Sequence, residues 1–254
     1  MTAVATTTTV PRTARRSRFN EIWRIVRLHT VNPSIFFGVP WLILGGAWAV
    51  TMLIALMLRA AGISAAEDGF QYSWAVLSPQ WYLVAVGVQA IAFTFSFALG
   101  FGATRRDYWL GTSAMFVFVS FEMAVAIATL VQIEQATNGW WIGAGMFDAL
   151  WYGQHGWLFD FYTSFALQLL VLFIGASITT VYMRWRSRGL IILFSSLVVL
   201  LLGFVATATL GNSWPAVFEW LGSIGQVGVF TILLVKALFW AVFGYFVIRR
   251  ATPR

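Results

Sequence analysis

Six continuous apolar runs, each long enough to cross a lipid bilayer, dominate this chain and leave it few ways to fold. The hydrocarbon core is about 30 Å thick and takes roughly 20 helical residues to span. Expected spans therefore cover about 34–58, 80–101, 112–133, 161–183, 190–210 and 226–248, and only Glu122 and Lys236 place a charge inside them. Charged residues make up 10% of the chain and hydrophobic ones 60%, whereas soluble domains carry roughly 25% charged residues. The expected fold is an all-α polytopic membrane protein with six transmembrane helices. Its 254 residues are used up by those spans and their connections, so no separate soluble catalytic domain fits.

Ahead of the first span the chain changes character twice. Residues 1–18 are threonine-rich and then basic, without the apolar centre of a signal peptide, and read as a disordered cytoplasmic tail. A single membrane domain then occupies 19–254. Within about 19–30, Phe19, Ile22, Trp23 and Val26 follow i, i+3, i+4, i+7 spacing, while Asn20, Arg24 and Arg27 lie opposite; Leu28 falls on the polar arc. A basic helix with tryptophan on its apolar side suits the membrane interface. The alternative is a stub of the first span, and Pro33 favours a separate element because the residue before proline avoids helical angles.

Orientation follows from the basic residues. With the N-terminus inside, six return to the inner face before the first span, then Arg105 and Arg106, then Arg184, Arg186 and Arg188, then Arg249, Arg250 and Arg254. Fourteen of sixteen basic residues thus fall inside, leaving Arg59 outside and Lys236 within a span. The expectation is an integral cell-membrane protein with both termini in the cytoplasm. The connection Gly100–Gly111 becomes an inner-face surface carrying charge and aromatic rings. On the outer side, Glu134–Asp160 is rich in tryptophan (Trp140, Trp141, Trp151, Trp157) and is expected to lie along the membrane–water boundary. Gly211–Gly225 is too apolar for a free loop and too short to span, which leaves a re-entrant or interfacial helix or a partly buried loop.

Glu122 and Lys236 sit midway along their spans, too deep to reach water comfortably, where a lone charge costs about 2.5–3.5 kcal/mol. Opposite signs at matching depth suggest an intramembrane charge pair; a proton-carrying Glu122 is the functional alternative. Gln89, Gln132 and Gln168 read as interhelical hydrogen-bonders. Several chemistries lack their residues. The chain has no cysteine, its single lysine does not follow a glycine-rich loop, and no His-Glu-x-x-His occurs. Ser177 lies in a span, but His29 and His155 do not, which weighs against intramembrane serine proteolysis. The basic residues flank spans, so lipid and insertion topology, not nucleic acid, account for the net charge of +7.

An amphipathic helix before six spans, an arginine-bearing inner loop after the second and a short apolar outer segment before the sixth together resemble the type-2 ABC exporter permeases. Many of these carry Gly-x-Thr/Ser-Arg-Arg/Lys-x-aromatic-aromatic after the second span, and the match here is Gly102-Ala103-Thr104-Arg105-Arg106-Asp107-Tyr108-Trp109. The resemblance extends from about Phe19 to Arg250. It implies a permease subunit without its own ATPase, coupled through Thr104, Arg105, Arg106, Asp107, Tyr108 and Trp109 to a separate ABC ATPase subunit that binds ATP and Mg. It implies further a second permease copy or a related permease, no cofactor on this chain, a connecting helix at 19–30 and a re-entrant cap at 211–225. The Trp-rich outer loop and the Glu122/Lys236 charges depart from many relatives. Two other functions stay open: a proton-coupled secondary transporter using Glu122, and a non-transporting membrane scaffold or regulatory subunit.

Overall fold

The computed structural model describes residues 18–63 and 69–251, so the tail at 1–17, Glu67, Asp68 and Arg254 lie outside the described residues. Among the described residues, six long helices follow one another: α1 Arg18–Thr30, α2 Val39–Ala60, α3 Ser78–Gly100, α4 Arg105–Ala136, α5 Trp157–Leu210 and α6 Trp214–Ile248. No strand occurs among the described residues. All but α1 belong to segments long and apolar enough to cross a membrane, with a short π turn at Ser34–Gly38 leading into α2. The chain is membrane-embedded on that basis.

Two of these helices are broken. The backbone leaves the helical region at Arg186 (φ 56°, ψ −152°), inside the 54 residues of α5. A Cβ placed on Gly189 would meet the side chains of both Trp185 and Val181. Residues eight apart in an unbroken helix are separated by about 12 Å, so the chain bends sharply at Arg186. In α6 the break is at Gly225 (φ 61°, ψ −174°), a conformation open to glycine and poor for other residues. The segment expected as a re-entrant turn or a partly buried loop is thus the short first limb of α6. Phe218 and Trp220 are exposed by more than half, whereas Trp214, Val217 and Ile224 are partly covered.

The helix α4, the third expected span, is longer than its apolar run predicts. It begins at Arg105 instead of 112 and continues to Ala136, about 48 Å at 1.5 Å per residue. Two apolar cores are strung along it; its Arg105 end is the inner one and its Ala136 end the outer one in the expected orientation. The inner one gathers Tyr108, Met115, Phe116 and Val119 of α4 with Leu83, Ile91 and Phe95 of α3 and Leu172 and Phe173 of α5. The outer one gathers Met123, Ile127 and Val131 with Leu44 of α2 and with Met146, Phe147 and Tyr152 of the following loop. Where α3 meets α5 the two backbones touch: a Cβ on Gly87 would strike the Leu172 carbonyl, and one on Gly175 the Val84 carbonyl. Small residues at such a crossing let helices approach without a side chain between them.

The limb 187–210 of α5 stands apart. Only Gly189 and Ala208 are buried in it, and Leu200, Leu201, Leu202 and Phe204 are all more than half exposed.

Candidate functional site

The inner end of α4 starts with a cap. Thr104 is extended (φ −78°, ψ 152°) and its hydroxyl oxygen accepts the Asp107 N–H at 3.1 Å while donating to the Asp107 carboxylate at 2.7 Å. The cap satisfies one of the free N–H groups of the first turn and sets a negative charge where the helix dipole favours it. Gly102, with φ 81°, takes the left-handed turn that closes the short connection from α3. Thr104, Arg106 and the capping carboxylate therefore form a charged tip, with Arg106 exposed.

Behind the tip the contacts are internal. Arg105 donates to the carbonyl of Arg249, just beyond α6, at 2.9 Å. Tyr108 is fully buried; its hydroxyl donates to the Ala90 carbonyl at 2.7 Å and lies 2.8 Å from the Thr94 hydroxyl, both on α3. Trp109 is 3% exposed and packs against Phe173 of α5 and Gly244 of α6, where any Cβ would run into the indole. Burial divides the expected coupling set. Tyr108 and Trp109 offer no surface to another chain; burial in the inner core makes them the joint between the tip and the bundle. Thr104, Arg106 and Asp107 remain at the surface.

The N-terminal helix is tied to the same place. Ile25 packs so closely on α4 that a Cβ at Gly111 would lie 2.5 Å from the Ile25 Cβ. One turn on, His29 is buried, shares a 3.0 Å hydrogen bond with the Thr112 hydroxyl and meets Phe36 edge-on at 5.4 Å. Burial among these groups lowers the His29 pKa from 6.5 to about 4, so the imidazole is neutral at physiological pH. The packed stripe of α1 is Ile22, Ile25, Val26 and His29, whereas Phe19 and Trp23 are exposed. The expected single apolar face of Phe19, Ile22, Trp23 and Val26 is therefore divided: half of it holds the protein and half faces outward. Spacing alone does not distinguish a contact with protein from one with lipid.

At mid-depth the expected charge pair is not formed within one chain. Glu122 accepts a 2.9 Å hydrogen bond from the Trp41 indole of α2, and its second carboxylate oxygen is buried without a partner. Lys236 is exposed on α6 and makes no ion pair among the described residues. The two residues point to different neighbours because α4 and α6 meet mainly at the inner end. Gln168 is likewise no interhelical bonder here, since both of its amide atoms are buried without a protein partner. Ser177 instead serves packing, donating to the Trp240 carbonyl at 2.7 Å.

The other end of α4 carries a residue that sequence reasoning passed over. Glu134 is 1% exposed, and its carboxylate accepts four N–H groups: the Trp140 indole at 2.6 Å and the backbone amides of Met146, Phe147 and Asp148 at 2.7–2.9 Å. Around it the backbone is strained, with Asn138, Trp140, Trp141 and Leu150 all at positive φ. Trp140 packs edge-on against Trp48 at 5.3 Å and Trp151 against Phe230 at 5.0 Å. Tyr152 is buried, its hydroxyl accepts from Ser164 at 3.0 Å, and burial raises its pKa to about 12. The loop expected to lie along the outer surface is thus a folded cap on the bundle, with Trp141 and Leu158 its most exposed apolar side chains. A lone acid at a loop border gave no sign of this; the run of donors becomes visible only when the loop closes around it.

No family model, no curated protein and no solved structure matches the chain.

Proposed function

We propose that this chain is the membrane-spanning permease subunit of an ATP-driven ABC exporter. The observation that carries the reading is the inner end of α4, where an exposed charged tip is continuous with a helix locked to four others. Arg106 and the Thr104–Asp107 cap lie at the surface. Within two residues, Tyr108 bonds α3 and Trp109 packs on α5 and α6, and one turn further Thr112 meets α1. A force on such a tip reaches the whole bundle, because close-packed side chains transmit displacement instead of absorbing it. That is what coupling to a separate motor requires.

In this reading the break at Arg186 is an inner turn and divides α5 into two spans, giving six with both termini in the cytoplasm. The helix α1 rests in the inner membrane interface with Phe19 and Trp23 in the lipid headgroup region, and the short limb 214–224 caps the outer end of the pathway. The partner subunit binds ATP and Mg; this chain has no P-loop and no catalytic role. A second permease copy or a related permease completes the path.

The experiment is to co-purify the chain with its ATPase and measure stimulation of ATP hydrolysis in lipid nanodiscs. Arg106→Glu should abolish stimulation while membrane insertion and the fold stay intact. Unchanged stimulation would sink the docking role of the tip. Substrate flux driven by a proton gradient without nucleotide would replace the exporter reading with secondary transport through Glu122.

A further inference from the structure

We infer that two copies of this chain associate with Glu122 of each facing Lys236 of the other. The pairing needs a second copy but no ATPase, so it can fail while the permease reading stands.

Among the described residues, Glu122 and Lys236 are the only charged side chains inside the six expected spans. Within one chain each is left incomplete. The Glu122 carboxylate has one donor, the Trp41 indole, and one buried oxygen with none. The Lys236 ammonium has no acidic partner among the described residues and stands between exposed Val235 and Phe239. Lipid can cover Val235 and Phe239 but not a mid-depth ammonium, which in hydrocarbon must find an anion, a carbonyl or water. The opposite charge at matching depth exists on the same chain, and it too lacks a partner of opposite charge among the described residues.

The helices beside these residues are the ones the single chain leaves uncovered. Glu122 adjoins α2, which exposes Trp41, Leu42, Val50, Leu53 and Met57. Lys236 lies on the helix that follows the bare limb 187–210, the two linked by a short turn in which the Trp214 indole donates to Thr209. Setting the α2–α4 edge of one copy against the edge formed by 187–210 and α6 of the other covers both. It also brings the opposite charges together twice about a two-fold axis, as an isologous interface requires.

Charge reversal tests the pairing directly. Glu122→Lys puts two positive charges in one chain, and Lys236→Glu puts two negative charges in one chain. Each variant expressed alone should lose the dimer on native gels and by mass photometry in nanodiscs. Co-expressed with different tags, the two variants should recover it as a mixed dimer, because both contacts are then opposite in sign. A pairing within one chain predicts no such recovery. Absence of the mixed dimer, a dimer that persists in either variant alone, or a wild-type chain that is monomeric would overturn the inference.

A second arm does not depend on tolerance of reversed charge. The natural chain has no cysteine, so a Glu122→Cys copy and a Lys236→Cys copy can be joined by a short bis-maleimide in native membranes. A linker is needed because an ion pair holds the two Cβ atoms farther apart than a disulfide allows. The two-tag product should exceed by several-fold that formed when both copies carry the same substitution. Equal yields would also overturn the pairing.

Discussion

At its inner end α4 is held by aromatic and neutral contacts from four helices; at its outer end it holds a loop through one carboxylate. Tyr108, Trp109 and Thr112 each reach a different helix, so removing one leaves the others in place. Glu134 collects four donors into a single side chain, so removing it empties them all at once. The inner end is a distributed joint suited to passing motion between helices. The outer end is a single pin suited to holding a strained loop still.

The strongest test of that contrast is Glu134→Ala. Each buried donor left without an acceptor costs about 1–3 kcal/mol, and some of the loop amides can recover water, so a loss on the order of 4 kcal/mol is expected. Hydrogen exchange should rise sharply over 139–153 and stay unchanged over 104–112. Equal loosening at both ends would break the distinction between pin and joint. Glu134→Gln, which keeps one acceptor oxygen, should fall between wild type and alanine.

At the inner end the largest effect should come with acid. The His29 pKa is lowered from 6.5 to about 4 in the folded chain by burial. As pH falls below 6.5 the unfolded state takes up a proton that the folded state refuses, so stability drops between pH 6.5 and about 4 and levels off below. A shift of this size corresponds to roughly 3 kcal/mol. Thermal unfolding from pH 7 to pH 4 should show the drop in wild type and a smaller one in His29→Gln. Identical pH profiles would remove His29 from the joint.

Steric substitution should follow. Gly111→Leu forces a side chain into Ile25 and the Ile22 carbonyl, and overpacking of this kind costs about 1–3 kcal/mol. Protease access to α1 should increase while the outer loop stays protected. The smallest effect should be Tyr108→Phe, which removes one donor but keeps the buried ring; about 1 kcal/mol is expected from denaturant titration. A much larger loss would mean that the joint depends on one bond after all.

Much of the candidate site was legible in residue type and spacing, and the limits are instructive. Thr104 and Asp107 stand in the sequence only as part of the coupling loop; the structure makes them the cap of α4. Tyr108 and Trp109 precede the apolar run that begins at 112, in the loop the resemblance assigns to coupling; the same two rings close the inner core once the helix starts at 105. Ile22 and Val26 shared a periodicity with Phe19 and Trp23, yet only the first pair is covered by α3 and α4. Periodicity reports which residues share a side of a helix, and it is silent about what that side meets.

By itself the sequence determined that the long apolar runs must be helices, since the backbone of a span has no other partner in lipid and the runs are unbroken by charge except at Glu122 and Lys236. It determined also where basic residues gather, because that is a property of the residues themselves. Tertiary structure alone decided that Glu134 pins a loop, that His29 is buried against Thr112 and that Glu122 and Lys236 do not meet in one chain. Those outcomes depend on which helix lies beside which, over separations of 83 residues for His29 and Thr112 and 81 for Trp41 and Glu122. Local chemistry does not carry that information; close packing does.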